Sequence, residues 1–324
     1  MTLEQIRALV ADDLAAVDRL LREQSRSEVG LADQVAQYII EAGGKRLRAV
    51  LVLLCGRALG GLRHPDASFM LAAVIEFIHT ATLLHDDVVD NSEIRRGRKT
   101  ANKIWGNEAS VLGGDFFYSR AFGMIAKINQ PEVTRILADA SNAIAEGELL
   151  ELMHAGHVEL GEDQYLTIIE GKTAKLFEAS CEATARIEGA SDDRTRELID
   201  FGRLLGAAFQ IADDAIDYLE DNPEADKSVG DDLAGGRLTL PYIYALREAE
   251  KEDQDFLRRA IQSGQREHIG EVCAIMHRSG AIDYAWEQAR DFAQRAQKHL
   301  GAIDASPWRD ALDGVTRFSV SRRY

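Results

Sequence analysis

Two copies of one acidic pattern are the residues of this sequence whose types and spacing most clearly indicate chemistry. Each copy has the form DDxxD and ends an otherwise apolar segment. The six aspartates are Asp86, Asp87 and Asp90 in the first copy and Asp213, Asp214 and Asp217 in the second. Residues four apart share one face of a helix, so the first and last carboxylates of each copy project together.

These acidic clusters predict a metal site. Carboxylates that lie close together repel one another unless a cation separates them, and Mg²⁺ takes its oxygen ligands from carboxylates, waters and substrate phosphates. A single DDxxD is more often a solvated helix end. Two copies, each at the end of an apolar helix, favour a Mg²⁺–diphosphate site, because a bound cation also offsets the penalty of aspartate at a helix C-terminus.

Two basic segments supply groups that can hold an anion. GGKRLR places Lys45 and Arg48 at the start of an apolar helix, where positive charge is unfavourable unless an anion binds there. A solvated basic turn is the alternative for this segment. EIRRGRKT follows the first acidic motif and contains Arg95 and Arg96, whose forked donors suit phosphate oxygens, so it favours a diphosphate clamp.

Other polar residues lie near these motifs or in apolar surroundings. Lys172 and Thr173 occur in EGKTAKLF, and Lys227 follows the second acidic motif, where it could close over the site. His79 lies two helical turns before Asp86, although a lone histidine on an apolar helix is more often a satisfied core residue.

The elements that must position these residues are helices, because apolar residues recur at spacings of three and four between only five prolines. No convincing strand is predicted. The predicted helices run from Leu3 to Leu21, Leu31 to Ile40, Leu47 to Leu59, Ala67 to Asp87, Ala109 to Ile128, Glu132 to Met153, Gln164 to Arg186, Asp192 to Tyr218, Leu240 to Ala249, Gln254 to Ser263, Arg266 to Ser279, Ile282 to Leu300 and Trp308 to Ser319.

Composition limits the class of protein. Of 324 residues 46% are hydrophobic, which suffices for a packed core, and the net charge of −16 argues against a nucleic-acid partner. Cys55, Cys181 and Cys273 form no CxxC pair, so we expect neither a disulfide framework nor a zinc site, but a reducing cytoplasm. No segment reads as the ~18 apolar residues of a membrane span.

Together the motifs resemble the trans-isoprenyl diphosphate synthase family, and in detail its long-chain, octaprenyl-type members. The similarity covers essentially the whole chain, including GGKRLR, FIHTATLLHDDVVD, NEASVLGGDFFYSRAF, EGELLEL, GKTAKLFEA, FGRLLGAAFQIADDAID and VGDDL. It implies one all-α polyprenyl synthetase domain over residues 1–324, a helical bundle around a deep central cavity. It also implies a cytoplasmic homodimer, with peripheral membrane contact as a route for releasing an apolar product.

The resemblance also implies roles for the motif residues in joining isopentenyl diphosphate to an allylic diphosphate. Asp86, Asp90 and Asp213 would hold about three Mg²⁺ ions, with Asp87, Asp214 and Asp217 as further candidate ligands. The allylic diphosphate would be bound by Arg95, Lys172 and Lys227, and isopentenyl diphosphate by Lys45, Arg48, His79 and Arg96. Thr173 and Gln210 would place oxygen dipoles against the developing carbocation.

One segment departs from the family pattern. Relatives tend to have Lys-Pro-Thr-Leu-Pro where this chain has Arg237-Leu238-Thr239-Leu240-Pro241. The positive charge is kept, so we expect an effect on the geometry of the lid rather than on activity.

The length of the product depends on the space below the metals. Ala81 and Thr82 lie about one helical turn, ~5.4 Å, before Asp86, where shorter-chain relatives commonly have an aromatic residue. Small side chains there predict an open tunnel and an octaprenyl-type product for quinone side chains, unless Ala81 is ordinary helix filler. A shorter-chain farnesyl or geranylgeranyl diphosphate synthase, a terpene cyclase, and a non-catalytic subunit of a heteromeric synthase are the alternatives.

Overall fold

The computed structural model describes residues 1–219 and 230–321, and nearly all of them lie in helices joined by short turns. This confirms the all-α prediction. The helices are α1 (Leu3–Ala8), α2 (Ala11–Gln24), α3 (Gly30–Glu41), α4 (Leu47–Ala58), α5 (Pro65–Val89), α6 (Ala101–Trp105), α7 (Asn107–Ile128), α8 (Pro131–His154), α9 (Glu162–Ile169), α10 (Lys175–Ile187), α11 (Asp192–Ile216), α12 (Asp231–Ala234), α13 (Leu240–Glu248), α14 (Lys251–Ser263), α15 (Ile269–Arg278), α16 (Ala281–His299) and α17 (Pro307–Ser319).

Short irregular pieces join some of these helices. A π-helical segment, Glu170–Ala174, connects α9 to α10 and is called the π-turn below. Single 3₁₀ turns occur at Arg266–His268 and Leu300–Ala302. The strands β1 (Ile94–Arg95) and β2 (Arg98–Lys99) form an antiparallel hairpin in which Ile94 pairs with Lys99.

The centre of the bundle is formed by α5 and α11, the two helices that carry the acidic motifs. Helix α5 begins with Pro65, whose missing N–H costs nothing in a first turn, and its middle is apolar all round. Helix α11 begins after Ser191, whose hydroxyl accepts a hydrogen bond from the Arg194 backbone. Helices α4 and α7 pack on α5, and α10 and α16 pack on α11. One buried apolar cluster extends from α1 to α17.

The structure differs from the predicted elements in several places, and the short helices α6 and α12 were not predicted. The segment from Leu3 to Leu21 is broken into α1 and α2, and the helix expected from Gln164 to Arg186 is interrupted by the π-turn. The predicted loop from 91 to 98 also contributes to a hairpin of two short strands. The hairpin was not predicted, because each strand has two residues and is too short to show an alternating pattern in the sequence.

Helix α5 corrects one further expectation. It is long and apolar enough to cross a membrane, with a hydropathy of 1.7 over its most apolar 18 residues. However, 67% of that window is buried inside the protein, which is typical of a core helix. All three cysteines are buried as free thiols.

Candidate active site

A cavity of about 590 Å³ opens between the C-terminal ends of α5 and α11. Residues from the basic segments, both acidic motifs and the π-turn border it together. The predicted residues at its wall are Lys45, Arg48, His79, Thr82, Asp86, Arg95, Arg96, Lys172, Thr173, Gln210, Asp213, Asp214 and Asp217. Segments far apart in the sequence therefore meet at one site.

The loop before α4 presents the first basic segment to the cavity. Its backbone is left-handed at Arg46, with φ of 50°, and Gly44 has φ of 136°. The buried carboxylate of Glu76 on α5 accepts a hydrogen bond from the Ala49 backbone at 3.1 Å and pairs with Arg46 at 3.3 Å. Glu76 thus fixes the loop to α5, while Lys45 remains directed to the cavity wall.

The two basic segments touch each other. Arg96 donates a hydrogen bond to the Gly43 carbonyl, and its guanidinium lies where a side chain at Gly44 would have to be. The positive φ therefore favours glycine at position 44, and a larger residue there would also displace the Arg96 guanidinium. The hairpin is held against the loop, so that both segments form one basic wall.

Positive charge surrounds His79 on this wall. Burial lowers the pKa of His79 well below 6.5, and Arg48, Arg96, Arg95 and Arg46 lower it further, so the imidazole is neutral at pH 7. Burial also lowers the pKa of Arg48 to about 10, although Glu76 opposes that shift. Arg48 stays charged at neutral pH and stacks 4.5 Å from the centre of the Phe177 ring. A half-buried basic wall of this kind favours an anionic ligand.

The second aspartate of each acidic motif is engaged by the protein. Asp87 accepts a hydrogen bond of 2.8 Å from Arg95 and does not line the main cavity. Asp214 borders the cavity but accepts hydrogen bonds from Tyr165 at 2.6 Å and from Gln210 at 2.7 Å. The geometry thus gives no support to the prediction that Asp87 is a metal ligand.

Two carboxylates that the sequence analysis did not single out hold the cavity lysine. Lys172 lies 2.8 Å from Glu148 and 2.6 Å from Glu151. Burial alone would lower the pKa of Lys172, but Glu151, Asp86 and Glu148 raise it above its usual value. Burial and Asp86 raise the pKa of Glu148 to about 7, against the effect of Lys172. The signal was present in EGELLEL, where the two acids are three apart and so share one face of α8.

The π-turn brings Thr173 beside α11. Thr173 donates a hydrogen bond of 2.8 Å to the side-chain oxygen of Gln210. The two elements approach this closely because Gly206 has no side chain: a Cβ there would lie 2.5 Å from Cα of Ala174. The predicted catalytic pair is therefore in direct contact.

The donor set fits Mg²⁺ shared with a diphosphate rather than a metal caged by protein alone. Within residues 1–219 and 230–321, no three His, Cys, Asp or Glu side chains form a group that could hold a metal by themselves. Mg²⁺ commonly uses one or two carboxylates and completes its shell with water and phosphate, which Asp86, Asp213 and Asp217 at the cavity wall can accommodate.

Comparison with known proteins agrees with this geometry. The family model described as "Polyprenyl synthetase" matches residues 30–278. The chain belongs to the polyprenyl synthetase family.

Relatives and solved structures of this family match the chain over almost its full length. Octaprenyl diphosphate synthase of Escherichia coli is 42% identical, covering 99% of both chains. The geranyl-diphosphate-specific all-trans-nonaprenyl-diphosphate synthase of Rhodobacter capsulatus is 41% identical, covering 98% of both. A crystal structure of the Caulobacter crescentus polyprenyl synthase, complexed with calcium and isoprenyl diphosphate, is 40% identical with a TM-score of 0.96, covering 100% of this chain and 98% of that one.

Arg237, at the position where this family member departs from the usual pattern, links the two sides of the cavity. Its guanidinium lies 2.5 Å from Asp90 and 2.8 Å from Asp232. Burial would lower the pKa of Arg237, but Asp232 and Asp90 raise it above its usual value. Asp90 therefore faces Arg237 here, and Asp232 is a cavity residue that the sequence analysis did not single out.

Two other predicted residues that the structure describes, Asp90 and Ala81, do not border the cavity. Ala81 is fully buried in the core and, unlike its neighbour Thr82, does not border the cavity. Lys227, the predicted lid residue, lies outside the described residues.

Proposed function

We propose that this protein condenses isopentenyl diphosphate head-to-tail with an allylic diphosphate and releases pyrophosphate, in a reaction that requires Mg²⁺. The observation that supports this most directly is the presence of two anion-binding regions in one cavity. The basic wall suits one diphosphate, whereas the acidic motifs with Lys172 suit a second diphosphate bound together with Mg²⁺. Farnesyl diphosphate is the expected allylic substrate.

The chain's own side chains account for most of the chemistry that this reaction needs. Mg²⁺, when bound, neutralises charge that grows on the departing pyrophosphate. Lys172 contributes a fixed positive charge on the same side, held by Glu148 and Glu151. The side chains of Leu83, Ile169 and other apolar residues at the wall limit access of water, which would otherwise trap the allylic cation as an alcohol.

We propose further that the product is a long all-trans chain of the octaprenyl type, used for quinone side chains. Thr82 supports this, because the residue at the cavity wall one turn below Asp86 is small. Thr82→Tyr should narrow the space there and shorten the product. Ala81→Tyr should also cost about 1–3 kcal/mol of stability, because Ala81 is enclosed in the core. Thr134→Tyr, at an exposed position on α8, is the matched control and should leave product length unchanged.

The whole chain, residues 1–324, is proposed to act as one domain and to form a homodimer in the cytoplasm, with peripheral membrane contact during product release. Exposed apolar side chains on α7 and α8 support self-association: Leu112 is 65% exposed, Leu149 61%, Leu152 61% and Met153 70%. Sedimentation should give a dimer for the wild type and a monomer for Leu152→Glu.

The decisive experiment is an incubation of the purified protein with farnesyl diphosphate, labelled isopentenyl diphosphate and Mg²⁺. The dephosphorylated products are then sized, and a sample with EDTA is the control. Metal-dependent products of octaprenyl length support both proposals. Farnesyl- or geranylgeranyl-length products keep the reaction but refute the long-chain product. If no allylic substrate supports incorporation, the protein is instead a non-catalytic subunit.

A further inference from the structure

A chain of three hydrogen bonds connects the π-turn, α11 and α9 at the cavity wall. The Thr173 hydroxyl donates to the oxygen of Gln210 at 2.8 Å, and the Gln210 amide nitrogen donates to Asp214 at 2.7 Å. The Tyr165 hydroxyl donates to the other oxygen of Asp214 at 2.6 Å. The bonds from both sides therefore meet at Asp214, which adjoins Asp213 in the second acidic motif.

The chemistry of these groups fixes the direction of every bond in the chain. A carboxylate only accepts hydrogen bonds, so the Gln210 amide must turn its nitrogen toward Asp214 and its oxygen toward Thr173. Thr173 then uses its single hydroxyl hydrogen on Gln210. The remaining lone pairs of the Thr173 oxygen are left for the cavity that this residue borders.

Burial makes this arrangement costly to change. Thr173 is 8% exposed, Asp214 6% and Tyr165 3%. A donor left unpaired in such a place loses about 1–3 kcal/mol, so the amide of Gln210 has one favoured orientation. The close approach of the π-turn at Gly206 leaves little room for Thr173 to move away.

Both oxygens of Asp214 are engaged by Tyr165 and Gln210, which distinguishes it from a residue whose function is to bind metal. Asp213 and Asp217 also border the cavity, and the Tyr165 and Gln210 bonds are not made to either of them. The middle aspartate of the motif is thus available for a different task from its neighbours.

We propose that Asp214 and Tyr165 are positioning residues, which orient Gln210 and, through it, the Thr173 oxygen toward the carbon at which the allylic C–O bond breaks. This inference rests on the proposed function and adds to it. It divides the second acidic motif into residues that face the diphosphate and one that orders neutral dipoles beside the developing cation.

The test compares Asp214→Asn with Asp213→Asn by two measurements. In Asp214→Asn the charge that holds the Gln210 amide in one orientation is lost. The new NH₂ group finds an acceptor only if the Tyr165 hydroxyl turns to accept from it or the Gln210 amide turns over, so the order of the bonds is disturbed. We expect kcat to fall about 10- to 100-fold, as for a displaced catalytic group, with KM for both substrates changed less than about twofold. Mg²⁺-dependent binding of inorganic pyrophosphate, measured by calorimetry, should be unchanged in Asp214→Asn and lost in Asp213→Asn.

Tyr165→Phe provides a second variant that removes one hydroxyl and keeps the carboxylate. We expect kcat to fall about 3- to 10-fold with pyrophosphate binding unchanged, because one oxygen of Asp214 loses its anchor. If Asp214→Asn fails to fold, this variant decides the question by the same two measurements.

Three outcomes would overturn the inference. They are wild-type kcat in Asp214→Asn, wild-type kcat in Tyr165→Phe, and loss of pyrophosphate binding in Asp214→Asn equal to that in Asp213→Asn. The last result would make Asp214 a metal ligand. A wild-type protein without any activity would instead refute the proposed function, so the two failures are distinguishable.

Discussion

The two central helices end in the same acidic spacing but treat it differently. In each motif the first aspartate, Asp86 or Asp213, borders the cavity. The second aspartate has a charged partner in the α5 motif and neutral partners in the α11 motif: Asp87 pairs with Arg95 of the hairpin, whereas Asp214 accepts bonds from Tyr165 and Gln210. The equal spacing therefore directs the first aspartate of each motif to the cavity. The neighbouring side chains determine the role of the second aspartate.

The helices differ further at positions deeper in the bundle. Three residues before the first aspartate, α5 has Leu83 and α11 has Gln210. Deeper still, Glu76 of α5 fixes the loop that carries Lys45, whereas Gly206 of α11 admits the π-turn. We infer that Glu76, on the inner part of α5, supports the isopentenyl diphosphate side of the site, and that Gly206, on the inner part of α11, supports the side where the cation forms.

The largest effect is expected from the first aspartate of a motif. Asp86→Asn removes charge from a cavity that must hold Mg²⁺ and a diphosphate, so activity should fall at least about 100-fold. Incorporation of labelled isopentenyl diphosphate measures it. The control is Asp139→Asn, since this carboxylate is 59% exposed and pairs only locally with Arg135. Activity above a tenth of wild type in Asp86→Asn would contradict the assignment.

Substitution of the second aspartate should reduce the stability of the protein by different amounts in the two motifs. Asp87→Asn removes the charged partner of Arg95, whose side chain is 15% exposed, and breaking such a pair costs about 3 kcal/mol. Asp214→Asn leaves one neutral donor poorly paired and should cost less, about 1–2 kcal/mol. Thermal unfolding of both variants, compared with wild type, checks the order. Equal shifts in melting temperature would mean that the charged and neutral partners are equivalent.

The role assigned to the inner part of α5 can be tested at Glu76. Glu76→Gln keeps an acceptor for the Ala49 backbone but loses the charge opposite Arg46. We expect the loop that carries Lys45 to be held less firmly, which weakens binding of isopentenyl diphosphate by about 1.4 kcal/mol and raises its KM about tenfold. KM for the allylic substrate should change less than about twofold. A parallel rise in both constants would show that Glu76 does not serve one substrate selectively.

Much of this site could be predicted from the sequence because its strongest signals are local. Apolar periodicity located α5 and α11, and the fixed spacing within each DDxxD placed Asp86 and Asp213 on the cavity wall. The helix break at the π-turn was not predicted, since its residues continue a helical pattern and the bulge arises from packing against Gly206.

Partners distant in sequence were the part that could not be predicted. Tyr165 and Asp214 are 49 positions apart, and Arg237 and Asp90 are 147 apart, so no spacing rule connects them. The pairing of Asp87 with Arg95 was not predicted either, although the two residues are only eight positions apart, because the hairpin that brings them together was not predicted. Ala81 and Thr82 are adjacent, yet only the packing around α5 determines which one borders the cavity.

The smallest expected effect concerns His79 and the pH dependence of stability. Burial and four arginines hold the pKa of His79 well below 6.5 in the folded protein, so the unfolded chain binds the proton more readily. The group therefore costs no stability above pH 6.5, and stability is lost as the pH falls below that value. Between pH 6.5 and 5.5 the loss from this one residue should be about 1 kcal/mol.

Melting temperatures of wild type, His79→Gln and His277→Gln at pH 6.5 and 5.5 isolate that contribution. Glutamine at position 79 cannot be protonated, so its melting temperature should fall less over this range than that of the wild type. His277 is exposed on α15, and its variant should follow the wild type. If His79→Gln also followed the wild type, the surroundings of His79 at the basic wall would be hydrated rather than buried. The basic wall and the hydrogen-bonded side chains around Asp214 would then differ in their residue types but not in their exposure to water.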